Sequence, residues 1–266
     1  MAVTDDPAAE LTRLLAIMAR LRDPATGCPW DIEQTFQTIA PYTIEEAYEV
    51  ADAIERGDMG ELEGELGDLL LQTVYHTQIG QEAGHFSFAS VTKSISDKMI
   101  ARHPHVFGDA SRDKSAAQQT LDWEKIKAVE RRGRTLDGVA LGLPALLRAV
   151  KLQKRAARVG FDWPDISMVL DKLQEEAREL AEARDTMSKA EISDELGDML
   201  FVMANLARHL QVDPEAALRG ANAKFTRRFA HIEDALEAIG KAPSDSNLAE
   251  MDALWNAAKQ AERNSD

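Results

Sequence analysis

Two stretches of this 266-residue chain repeat one another at a fixed spacing, and that repeat limits the architectures open to it. Residues 43–71 read TIEEAYEVADAIERGDMGELEGELGDLLL, and residues 173–201 read LQEEARELAEARDTMSKAEISDELGDMLF. Glu45, Glu46, Glu49, Glu65 and Asp68 recur as Glu175, Glu176, Glu179, Glu195 and Asp198, all at one constant offset. Flanking residues recur at slightly different spacings. Trp30 and Asp31 match Trp163 and Asp165, Lys98 and Arg102 match Lys224 and Arg228, and Trp123 and Lys127 match Trp255 and Lys259. A fixed block with shifting flanks is what loop-length differences between two copies of one domain produce. The boundary is expected in the polar, glycine-containing stretch 131–142, which holds Arg131, Arg132 and Arg134. The domains expected are therefore 1–134 and 135–266.

The periodicity is helical almost throughout, with apolar residues three and four apart as in Leu11, Leu14, Leu15, Met18 and Leu21. Strand-like alternation is hard to find, so the fold class expected is all-α, two repeated helical bundles with eight to ten helices in all. Helix starts are read at Asp6-Pro7, at Thr43 with Glu46, at Asp58 with Glu61, and at Asp213-Pro214. Leu66, Leu69 and Leu70 are read as a core-facing stripe beside the acids. Lys151, Lys154, Arg155 and Arg158 form a basic stripe, read as a solvated face or a contact with the acidic partner domain.

Charge narrows the function classes. With 31 basic and 46 acidic residues the net charge is −15. Residues 45–68 carry −9 and residues 171–198 carry −6, so the excess acid sits entirely in the repeated block. Such a chain is poorly suited to a nucleic-acid polymer or an anionic membrane surface, both of which reward basic stripes. No uncharged apolar run approaches the roughly 20 residues of a membrane span. The single cysteine, Cys28, excludes an intrachain disulfide and a thiolate zinc cage. With Asp5, Asp6 and Glu10 where a signal peptide would be basic and then apolar, a cytoplasmic setting is expected.

The spacing of the acids gives them a shared geometry. Residues three or four apart lie on one helix face. Glu46 and Glu49 therefore face one way, and so do Glu65 and Asp68 on the next helix. The short turn at Gly57 to Gly60 should fold the two helices antiparallel, so four carboxylates converge. Glu176, Glu179, Glu195 and Asp198 offer the same arrangement. Converged carboxylates repel one another and hold protons, and a hard divalent cation removes that penalty. All-oxygen ligation suits Mg²⁺, with Mn²⁺ as its substitute. The alternative for these runs is an ordinary solvated acidic face.

Lys98 with Arg102, and Lys224 with Arg228, each place two cations on one helix face, where they suit polyphosphate oxygens. The alternative is an exposed ion-pair face. Trp123 and Trp255 could each stack on a nucleoside or pack in a core. The HPH at His103 to His105 is interrupted by Pro104, and Glu82-x-x-His85 has no second copy, so neither reads as a metal motif. No P-loop, G-x-G-x-x-G or G-x-S-x-G is present.

The segments GCPWDIEQTFQTIAPYTIEEAYEV, GELGDLL, RHPHVFG and KLQKRAARVGFDW resemble the tandem-domain MazG nucleoside triphosphate pyrophosphohydrolases over nearly the whole chain. The resemblance implies a four-helix catalytic module that works as a homodimer with Mg²⁺. It implies cleavage between the α and β phosphates of a nucleoside triphosphate, giving a nucleoside monophosphate and pyrophosphate, in nucleotide-pool housekeeping. It makes Glu176, Glu179, Glu195 and Asp198 the metal ligands and sets Lys172 and Glu175 beside the nucleotide. Lys224 and Arg228 would hold phosphates and Trp255 would contact the nucleoside. Glu175 or Glu176 is expected to orient or deprotonate the attacking water. In tandem members the C-terminal copy is expected to work, although the first copy keeps Glu45, Glu46, Glu49, Glu65, Asp68, Lys98 and Arg102. Glu191 stands before the second E-L-G-D where a cation would have served the phosphates, with Lys189 the nearest substitute. The rival expectation is a non-catalytic module that senses nucleotide or binds a partner at the same acids.

Overall fold

Asp6 and Pro7 start the first helix, as their order predicts. In the structure, a computed structural model that describes residues 6–116, 118–120, 122–123, 126, 133–186 and 188–263, the Asp6 carboxylate accepts from the Ala8 amide. Pro7 fills the first turn of α1, Pro7–Leu21, where its missing N–H costs nothing. The apolar stripe of α1 delivers Met18, 1% exposed, into a core with Ile39, Val74, Tyr75 and Ile79. Complete burial of a side chain such as Met18 or Val74 contributes about 1.5–3 kcal/mol.

After the one-turn helix α2, Pro29–Glu33, the acidic hairpin begins. Its first helix, α3, spans Phe36–Arg56, so the start expected at Thr43 is corrected to Thr35. Thr35 and Thr38 cap each other's amides through their hydroxyls. Thr43 lies mid-helix instead, with its hydroxyl on the Ile39 carbonyl and 2.9 Å from His76 Nε2. Gly57 ends α3 in the left-handed region at φ 70°, a conformation that favours glycine. Asp58 then caps α4, Met59–Glu82, by accepting from the Gly60 and Glu61 amides. Helix α5, Phe88–Arg102, stops where Pro104 opens the one-turn α6, Pro104–Phe107.

The second half repeats the plan. Helix α7 spans Ala145–Ala157, α8 Ile166–Thr186, α9 Lys189–His209, α10 Pro214–Glu237 and α11 Leu248–Arg263, with a 3-10 turn at Pro243–Asp245. At the offset that relates the two acidic blocks, α8 matches α3 end for end, and α9 matches α4 at its start. Asp213 caps α10 with Pro214 in the first turn. The chain divides into two compact units, Met1–Arg131 and Arg132–Asp266. Among the described residues every regular element is helical: nine longer helices and the one-turn α2 and α6, with residues 116, 118–120, 122–123 and 126 helical as well. No helix among the described residues is long and apolar enough to cross a membrane.

One expectation is revised by packing and another holds in part. Leu66 and Leu70 do not face the core: they are 50% and 42% exposed, as are Leu196 and Leu200 at the repeated positions, both 43%. Each hairpin thus carries an outward apolar strip. The basic stripe is exposed at Lys151, Lys154 and Arg158, while Arg155 donates to the carbonyls of Leu136, Asp137 and Gly138. Lys127, Arg131 and Arg132 lie outside the described residues.

Candidate active site

The antiparallel hairpins bring the repeated acids together. Carboxylate oxygens of Glu46, Glu49 and Glu65 lie within 4.8 Å of one another, and so do those of Glu176, Glu179 and Glu195. Six ligands at about 2.1 Å around a Mg²⁺ ion also stand within about 4.2 Å of one another. The spacing and the all-oxygen donor set therefore fit such an ion. Asp68 and Asp198 are close enough to act electrostatically on their clusters.

The crowding shows in proton affinity. Burial lifts the Glu195 carboxyl above the usual range, and the negative charges of Glu179, Glu176, Asp198 and Asp194 add to it. Glu65 is raised by burial, then by Glu49, Glu61 and Asp68. Glu46 is raised by burial and by its hydrogen bond with Glu49. Like charges that share a space compete for one negative form, and the proton stays longer.

The two clusters differ in what sits beside them. In the second unit Lys172 Nζ lies 2.9 Å from Glu176 and 3.0 Å from Glu175, and Glu176 is only 4% exposed. These hydrogen bonds, to Glu176 first and Glu175 second, raise the Lys172 ammonium above its ordinary value. At the matching position the first unit has Tyr42. There Gln72 Nε2 donates to Glu46 at 3.3 Å, while the buried Gln72 Oε1 has no partner. Gln72 was missed in the sequence because no charge or motif marks it.

The basic and aromatic residues gather on other helices. Arg228 lies 5.3 Å from the Trp255 ring, and its Nη2 is 2.6 Å from Glu262 Oε2. Phe225 packs on the same ring at 5.4 Å between centroids. Glu262 was not foreseen, because it meets Arg228 across 34 residues of sequence. Lys224 is exposed one turn before Arg228. In the first unit Trp123 Nε1 donates to the Arg102 carbonyl, so the tryptophan again returns to the basic helix. Lys98 lies on the rim of a shallow cavity with Phe86, Val91 and Ile95. Helix α8 packs on α9, whereas α10 packs on α11 and α7. Within the second unit the chief packing therefore joins acid to acid and base to tryptophan rather than the two groups to each other, whereas in the first unit α4 also packs on the basic helix α5.

Glu191 has a structural task. It occupies the third position of α9, where its carboxylate accepts from the Ser188 amide and hydroxyl at 2.8 and 2.7 Å. Those bonds hold its carboxyl below the usual range.

An all-helical unit, built twice, with a carboxylate cluster on a helical hairpin and a basic helix after it, defines a class of oxygen-lined polyphosphate sites. Residues 34–107 and 166–233 each match the model of the MazG nucleotide pyrophosphohydrolase domain, and the chain belongs to that family. It is 49% identical to the nucleoside triphosphate pyrophosphohydrolase of Escherichia coli K12, over 95% of this chain and 98% of that one. It is 41% identical to the nucleoside triphosphate pyrophosphohydrolase/pyrophosphatase MazG of Thermotoga maritima, over 92% of this chain and 94% of that one. An uncharacterized Bacillus subtilis protein, YabN, is 43% identical over 96% of this chain but only 53% of its own length.

Proposed function

We propose that this enzyme hydrolyses nucleoside triphosphates to nucleoside monophosphate and pyrophosphate at the Glu176, Glu179, Glu195 and Asp198 cluster, with Mg²⁺ as cofactor. The observation that carries the reading is the cluster itself: three carboxylates within 4.8 Å on two facing helices, with an ammonium at 2.9 Å from the most buried of them. The relatives named for this reaction cover the chain almost end to end. When bound, Mg²⁺ would supply Lewis-acid stabilisation of charge on the phosphate oxygens.

The chain's own residues supply the rest. Glu175 can accept a proton from water while Lys172 keeps it oriented. Lys224 and Arg228 have the charge to hold phosphate oxygens, and the Trp255 face, already against a guanidinium, can take a nucleoside. In the first unit Tyr42 stands where Lys172 would be. This favours a second reading there, metal or nucleotide binding without turnover.

The protein is read as a homodimer. Supporting this are the outward leucine strips of both hairpins and the exposed Leu218 and Phe225 of α10. A cytoplasmic location is our reading of the lone cysteine and the acidic composition.

The test is product identity. Each triphosphate is incubated with Mg²⁺, and pyrophosphate and orthophosphate are assayed separately. Pyrophosphate is expected, abolished by EDTA and reduced at least about a hundredfold in Asp198→Asn and Glu179→Gln, with Glu49→Gln near wild type. Wild-type turnover in Asp198→Asn, or orthophosphate as the product, would refute the assignment.

A further inference from the structure

The second unit contains a cavity of about 460 Å³ that the acid cluster does not use. It opens between α7 and α9, against the segment before α8. Its place in the first unit is much smaller: there a gap of about 180 Å³ remains among Met18, Leu21, Leu71 and Tyr75. The repeat explains the difference residue by residue. Tyr75 of α4 becomes Asn205 of α9, at the same offset as the acids. The pair Met18 and Leu21, three apart on α1, becomes Gln153 and Ala156 on α7. One copy fills the space with a methionine, a leucine and a phenol, and the other leaves it open and lines it with amides.

Those amides are buried yet incompletely used. Gln153 is 7% exposed; its Nε2 donates to the Phe201 carbonyl at 2.8 Å, and its Oε1 has no donor. Asn205 is 3% exposed; its Oδ1 is held by Arg208 at 2.7 Å, which leaves its NH₂ as the donor end. A buried acceptor without a donor is a cost that a ligand can relieve. Three aromatic rings, Phe161, Trp163 and Phe201, line the cavity with the aliphatic Leu136 and Leu152 and the Asp162 carboxylate, and Phe161 is 82% exposed. Aromatic walls with one acceptor and one donor at the floor suit a flat heteroaromatic ring with the opposite edge. The first unit shows what fits: an aromatic ring with a donor, Tyr75, whose hydroxyl donates to Asp31 at 2.9 Å.

We propose that this cavity binds a nucleobase, placed by Gln153 and Asn205 and stacked on its aromatic walls. Phe201 and Asn205 follow Asp198 by one and two turns of α9, so Asn205 lies about 10 Å along the helix from the last acid. Two sources share this chemistry: the base of the substrate, or a separate nucleoside or nucleotide acting as an effector. Binding at this cavity does not depend on the hydrolysis proposed above.

The experiment uses the full-length protein in EDTA, titrated with adenosine, guanosine, cytidine and uridine while tryptophan emission is followed. At least one nucleoside should quench the emission of Trp255→Phe, which lacks the other tryptophan read as facing a nucleoside, and adding Trp163→Phe to it should remove the response. Asn205→Tyr, which installs the first unit's plug, should weaken binding at least about tenfold. Ala156→Leu should do the same while leaving the Asn205–Arg208 contact intact, so it serves if Asn205→Tyr fails to fold. If the base is the substrate's, both variants raise KM for the triphosphate by a similar factor. If it is an effector's, KM is unchanged and any nucleoside-dependent change in rate disappears. The proposal is overturned if no nucleoside quenches Trp163, or if Ala156→Leu binds as wild type does.

Discussion

Lys172 is the residue at which the two units part, and proton affinity follows from it. In the first unit Glu46 and Glu65 both hold their protons above the usual range, whereas in the second Lys172 already pairs with Glu175 and Glu176 and Glu195 is the raised carboxyl. A carboxyl whose folded value is raised stabilises the fold when protonated. That contribution is complete below the unfolded value, near 4.5, and disappears as pH rises through the raised value. The raised carboxyls should therefore cost metal-free protein thermal stability as pH climbs from about 4.5 toward neutrality, against the opposite contribution of His76, whose burial lowers its value and so adds stability over the upper part of that range. Mg²⁺ should restore stability at the upper end and do little at the lower, where protons occupy the oxygens. Thermal unfolding across this range, with and without Mg²⁺, measures both effects. The double variant Glu65→Gln, Glu195→Gln should flatten the metal-free slope; an unchanged slope would place its origin elsewhere.

At the scale of elements, what the sequence disclosed was what repeats or caps locally. The hairpins α3–α4 and α8–α9 were legible because E-E-x-x-E and E-L-G-D recur with a fixed gap. Asp6, Asp58 and Asp213 were legible because a cap acts within three residues. The start of α3 was misplaced because Thr43 with Glu46 has the same pattern as a cap, while Pro41 concealed a helix already running. Burial of Leu66 and Leu70 was misjudged because helical periodicity reports an apolar face without saying whether this chain covers it. The partners Gln72, Glu262 and Gln153 were beyond reach, since each acquires its role only from a helix distant in sequence, and Asn205, whose bonded partner Arg208 lies one turn away, was unmarked until α7 came to face it across the cavity. The GCPWD turn holds a constraint that only coordinates reveal. A Cβ on Gly27 would meet the Leu21 carbonyl oxygen at 2.3 Å and the Asp23 oxygen at 2.6 Å, both rigid backbone. Gly27→Ala should therefore destabilise the first unit by about 1–3 kcal/mol in urea unfolding. In a two-unit chain this would separate the unfolding transitions, with the cooperative step of the second unit left in place.

At the scale of the whole molecule, the question is how acids on one hairpin and cations on another come to serve one triphosphate. The main packing of α8 is with α9, and that of α10 is with α11 and α7. Yet Leu196 and Leu200 on α9, and Leu218 and Phe225 on α10, remain 43–59% exposed. Exposed apolar strips on both hairpins suit burial against a second copy, and twofold symmetry would form each contact twice. A homodimer in which the α10–α11 hairpin of one protomer closes over the α8–α9 acids of the other would bury the strips and complete two sites at once. Light scattering should then give twice the 29.4 kDa chain mass. Complementation distinguishes this arrangement from a dimer whose sites are each complete within one chain. Glu179→Gln and Arg228→Ala should each be inactive alone. Mixed by co-expression, half the dimers carry one of each chain, and in those dimers one of the two sites receives an intact acid hairpin and an intact basic hairpin. About a quarter of wild-type pyrophosphate release should return, by random pairing. If both hairpins of a site came from one chain, every site in the mixture would keep one defect and no activity would return.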